Sequence, residues 1–150
     1  MPVVLALVAA GALFLLYKYF RTRSAPLVAA VQSGGDPRVA AAAMMFAVAG
    51  EGSAVSPDQE RLIEALLIKR MGADVETAGR CMALARRATD LKGDLTARLH
   101  QLKGPVETRC SEGEKRELIG MLRQVAGVEA ERLGPVRDGI GRLSATILDK

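Results

Sequence analysis

The side chains of this 150-residue chain that could do chemistry are mostly carboxylates placed beside a recurring Val-Ala-Gly. The first V-A-G, at 48–50, leads into E-G-S-A-V-S-P-D-Q-E and so brings Glu51, Asp58 and Glu60 close together in sequence. The second, at 125–127, leads into V-E-A-E and supplies Glu129 and Glu131, with Asp138 further on. A hard cation such as calcium takes six or more oxygen ligands, usually from several carboxylates in a tight loop. Neither loop alone offers that set, so a divalent-metal site would require the two loops to meet. Helix initiation is the competing use of these acids. Ser56 can cap, Pro57 suits the first helical position and Gln59 completes a capping box. Asp58 and Glu60 then lie where the helix dipole favours negative charge.

Other chemistry has little to build on. Cys81 and Cys110 are isolated, without a C-x-x-C, and His100 is the single histidine. Three such residues lack both the fourth ligand and the spacing of a zinc site. The two cysteines read as reduced thiols, with Cys81 on an apolar helix face. Neither a Ser/His/Asp set, a P-loop nor a glycine-rich dinucleotide motif is present, so the chain reads as a non-enzyme. Of five aromatic residues only Phe46 lies beyond residue 20, which leaves no stacking platform for bases and argues against nucleic acid as a partner.

The segments that must position these groups differ sharply along the chain. Pro2 to Tyr17 carries no charge and is almost wholly Val, Leu, Ala, Gly and Phe. Extended to Phe20 it would make a helix of about 28 Å, close to the thickness of a bilayer core. Tyr17 and Tyr19 suit the interfacial aromatic belt, and Lys18 can snorkel outward. Lys18, Arg21 and Arg23 follow the apolar run, whereas a cleaved signal peptide has its charges ahead of it. The expectation is a single-pass anchor in the cytoplasmic (inner) membrane over 1–20, with the bilayer as a partner. By the positive-inside rule the N-terminus is outside and the rest is in the cytoplasm. Of the net charge of +4, these three residues contribute +3, so the remainder is nearly neutral at +1.

Residues 21–35 read as a linker, broken by Pro26 and Gly34-Gly35, with one short turn at Leu27–Val31. The remainder, 36–150, reads as all-α, a bundle of about six helices. Asp36-Pro37 opens the first, about 37–49, with Val39, Ala43, Phe46 and Ala47 inward. A second spans 57–71 with Leu62, Ile63, Leu66, Leu67 and Met71 as its stripe and Gly72 as its C-terminal cap. A third is expected over 75–90 and a shorter one over 95–102, after which Gly104-Pro105 punctuates. Ser111 and Glu114 form another capping box, opening a helix to about 127. Gly134-Pro135 starts the last, with Val136, Ile140, Leu143 and Ile147 in period.

Residues 44–63 and 121–140 align as an internal repeat: Met44 with Met121, the two V-A-G triplets, and Pro57 with Pro135 after one slip. Each copy reads as an apolar helix, a loop of six or seven residues and a proline-started helix. Two such halves would pack as a pseudo-symmetric bundle.

This organisation resembles the TerB-like (tellurite-resistance) family over about 36–148. The resemblance is carried by D-P-R-V-A-A-A-A-M-M at 36–45, V-A-G-E-G-S-A-V-S-P-D-Q-E at 48–60 and E-K-R-E-L-I-G-M-L-R-Q-V-A at 114–126. An apolar span ahead of such a domain is also similar to membrane-anchored DnaJ-type co-chaperones, but their His-Pro-Asp motif is missing. The resemblance implies a loop like V-A-x-A-D-G-x-V-S-x-x-E whose acids hold a divalent ion. Here Gly52, Ser53 and Gln59 stand where Asp, Gly and Glu are expected. The function expected is a membrane-tethered cytoplasmic protein-interaction module, in envelope or metal-oxyanion stress, with unidentified protein partners. The alternative is a divalent-metal sensor using Glu51, Asp58, Glu60, Glu129 and Glu131.

Overall fold

The computed structural model describes residues 35–132 and 134–149, apart from the side chains of Thr89 and of 128–132. The expected span over 1–20, its anchors Tyr17, Lys18, Tyr19, Arg21 and Arg23, and all of the linker except Gly35 lie outside the described residues. Among those described, no helix is long and apolar enough to cross a membrane.

The described residues form seven α-helices and no strand. They are α1 (Pro37–Ala49), α2 (Pro57–Met71), α3 (Val75–Ala85), α4 (Leu95–Leu102), α5 (Gly104–Arg109), α6 (Glu112–Arg132) and α7 (Gly134–Leu148). Their starts follow local chemistry. The Asp36 carboxylate accepts from the Arg38 N–H at 2.9 Å. Ser56 and Gln59 close a reciprocal capping box, as do Ser111 and Glu114. Asp74 and Asp94 cap α3 and α4 through the N–H groups of Thr77 and Ala97. Gly72, at φ 65°, ends α2 in the left-handed conformation that glycine adopts without strain.

The architecture is set by α1. Every residue from Ala40 to Ala49 is buried, most of them completely. The helix packs against α2 to α6 and against the 3₁₀ turn that follows α3, while α7 closes the outside against α4 and α6. An inward stripe of Val39, Ala43, Phe46 and Ala47 is therefore too narrow a description. The run A-A-A-A-M-M-F-A-V-A is apolar all round, and such a helix is buried on every side. Its alanines let the neighbouring helices approach, and Met44, Met45 and Phe46 fill the space between them.

Three further boundaries depart from expectation. The third helix ends at Ala85, and Arg86–Asp90 tighten into a 3₁₀ turn before Leu91 enters the core. Gly104-Pro105 does not merely punctuate but starts α5, a helix that buries Pro105 and Val106. This raises the helix count from about six to seven. The second V-A-G is not followed by an open loop: Gly127 breaks α6 at φ 77°, ψ 164°, and the helix resumes to Arg132. The reason is composition, since V-E-A-E-R contains good helix formers where E-G-S-A-V-S does not. Gly50, by contrast, caps α1 at φ −86°. The two halves thus share helix–proline–helix order but not their connections.

Packing is tight at Gly139. A Cβ on Gly139 of α7 would stand 3.1 Å from Cδ2 of Leu95, itself 1% exposed.

Full burial of α1 has a direct consequence at a position an amphipathic reading would leave outside. Ala41→Leu is expected to cost about 1–3 kcal/mol by overpacking, against under about 0.5 kcal/mol for a solvent-facing site. The shift in urea midpoint at constant slope measures it.

Candidate functional site

The three carboxylates after the first V-A-G are each engaged by an arginine. Glu51 pairs with Arg98, Asp58 with Arg61 at 3.0 Å and Glu60 with Arg86 at 3.2 Å. The side chains of Glu129 and Glu131 lie outside the described residues. Among the described residues no group of three or more His, Cys, Asp or Glu is arranged to hold a metal ion. His100 is exposed on α4, beside Thr96, Leu99 and Lys103.

Glu51 occupies the most enclosed of these pairs. Its side chain is 25% exposed and that of Arg98 only 12%. The Arg98 Nε is buried without a hydrogen-bond partner among the described residues. The pair joins the loop after α1 to α4, elements 47 positions apart in sequence. It borders a cleft of about 440 Å³ in which Glu51 meets Asp94, Asp138 and Arg142 beside the start of α7. The stretch after the first V-A-G and the helix after the second thus do come together, through Glu51 and Asp138. Sequence reasoning missed Arg98. The signal was present, because Arg98 stands three residues after Leu95 and four before Leu102, on the buried face of α4.

A second depression, about 300 Å³, lies where the chain enters the domain and is lined by Asp36 and Pro37. Its walls are two ion pairs. Arg38 donates through Nε and Nη2 to both oxygens of Asp36, at 2.7–3.1 Å. Across from it, Arg70 at the end of α2 pairs with Glu117 of α6 at 3.1 Å. Met71, Cys110 and Met121 supply the apolar part, with Met121 3% exposed and Cys110 half-buried. Arg109 and Glu114 complete the rim, and the Glu114 carboxylate is already used by the Ser111 N–H. The groove therefore carries three guanidiniums against three carboxylates, with no excess of either charge.

These contacts also set the ionisation. The Arg38 fork holds the Asp36 carboxyl below its ordinary value, burial opposes this, and the Arg38 N–H adds to it. Asp74 is lowered likewise, chiefly by the N–H of Thr77. Burial pushes both the Cys81 and the Cys110 thiols up, so neither is poised as a thiolate at neutral pH.

Two outcomes follow. Glu51→Ala leaves the Arg98 charge nearly buried and unpaired and is expected to cost about 3 kcal/mol. The double variant Glu51→Leu/Arg98→Met should recover most of that loss, both read from denaturant unfolding. The second concerns acid. A carboxyl lowered in the folded state stabilises above its unfolded value near pH 4, and that stabilisation is lost as pH falls further. The thermal midpoint should therefore drop more steeply between pH 5 and 3 for the native chain than for Asp36→Asn.

Comparison of the chain with protein-family models, with curated proteins and with solved structures finds no significant match in any of the three.

Proposed function

We propose that the chain is a non-enzymatic interaction module tethered to the cytoplasmic face of a membrane by its N-terminal segment. The observation that carries this reading is the asymmetry of residues 1–23. An uncharged apolar run from Pro2 to Tyr17 is followed at once by Lys18, Arg21 and Arg23. That order favours a retained span with its basic end in the cytoplasm. The helical domain supports the second half of the proposal. Its carboxylates at Glu51, Asp58, Glu60 and Glu117 are each paired with an arginine, and burial raises both thiols. Such a surface suits contact with another protein. The resemblance of 36–45, 48–60 and 114–126 to the TerB-like family supports a role in envelope or metal-oxyanion stress.

Membrane fractionation tests the tether. The full chain should remain in the membrane pellet after an alkaline wash, and a variant lacking 2–20 should move to the supernatant. Retention of the shortened variant, or release of the full chain, would overturn the tether. Cross-linking in native membranes tests the module: a discrete adduct that the shortened variant loses is expected, and no adduct from either chain sinks the interaction reading.

A further inference from the structure

The groove at the domain entrance differs from the other clefts in one respect: the chain itself arrives there. Description of the structure begins at Gly35, and the next two residues, Asp36 and Pro37, line the groove. Immediately before them stand Leu27-Val28-Ala29-Ala30-Val31 and Gln32-Ser33-Gly34-Gly35. We propose that the apolar run 27–31 docks in this groove, seating its aliphatic side chains against Met71, Cys110 and Met121.

Reach, charge and size each support this occupant. Val31 is five residues from Asp36, a separation of at most about 17 Å of chain, so the run is delivered to the mouth of the groove at high effective concentration. Gly34 and Gly35 allow the backbone to turn back on itself at little steric cost. Residues 24–35 contain no charged side chain, and the groove has no charge to spare. Its walls are closed ion pairs, Asp36 with Arg38 and Arg70 with Glu117. An ionic ligand would have to break one of them, whereas a neutral apolar segment leaves both intact. The volume of about 300 Å³ is at the lower end of ligand cavities and suits a few aliphatic side chains. Two methionines at the apolar surface adapt to irregular shapes without a unique partner geometry. At the rim, Arg109 lines the groove, and its guanidinium can take carbonyl oxygens of the docked run.

The docking requires only that 27–31 precede Asp36; it holds whether or not residues 2–20 span a bilayer.

Cys110 makes the groove addressable, because Cys81 is buried at 3% exposure. In the detergent-solubilised full chain, alkylation of Cys110 by N-ethylmaleimide is followed by peptide mapping. Leu27→Asp/Val31→Asp should raise its rate at least tenfold at an unchanged thermal midpoint. A second variant, Val31→Cys, should form an intramolecular disulfide with Cys110 under mild oxidation, and Cys110→Ser should abolish it. An unchanged alkylation rate, or no intramolecular cross-link from Val28→Cys or Val31→Cys, overturns the proposal. Protection that grows with protein concentration, with cross-links running as dimers, would seat a second copy in the groove and overturn it equally.

Discussion

Burial of α1 on every side is the constraint on which the remaining structure depends. A helix that is apolar around its whole circumference cannot lie on a surface, so the other helices must surround it rather than stack beside it. The alanines at 40–43 make this possible by keeping the rod thin, while Met44, Met45 and Phe46 fill its C-terminal half. The short pieces of the chain, α4, α5 and the 3₁₀ turn after α3, are what a wrapping layer needs to bend around a rod. Gly139 reflects the same crowding one layer out, where α7 lies so close to Leu95 that a methyl group would intrude.

The charged residues complete the enclosure. Pairs that bridge distant elements, Glu51 with Arg98, Glu60 with Arg86 and Arg70 with Glu117, lie along the seams between the wrapping helices. The exposed pairs contribute little individually. The Glu51–Arg98 pair differs because both groups are mostly out of water, so that losing one partner is far more costly than never having had either. This also explains why the loop after the first V-A-G is acidic: Glu51 answers a buried arginine, and the others cap or lead a helix.

What was legible in the sequence follows from range. Asp36-Pro37, Ser56-Pro57 and Ser111-x-x-Glu114 mark their helices because a cap is made within three residues, and the structure forms all three. Six of the seven helix starts were expected, four of them from such local signals and those near 75 and 95 from apolar spacing. Partnerships between residues far apart are invisible to them, which is why the pairings of Arg98 and Arg70 were missed although the place of Arg98 on the buried face of α4 was legible. The stripe assigned to α1 failed for a different reason. Alanine fits either face of a helix, so periodicity in an alanine-rich run selects a side where none exists. The continuation of α6 beyond Gly127 was hidden by the repeat itself, since matching V-A-G triplets suggested matching loops where the following residues differ in helix propensity.

The position of α1 in the chain also bears on how the protein is made. Its core helix is the first element of the domain to leave the ribosome, and every helix that covers it is synthesised afterwards. From Ala40 to Ala49 the nascent chain therefore carries ten residues with no polar face until Glu112–Arg132 has followed. Native packing cannot be completed piecemeal from the N-terminus, and the interval of exposure during translation is built into the order of the helices.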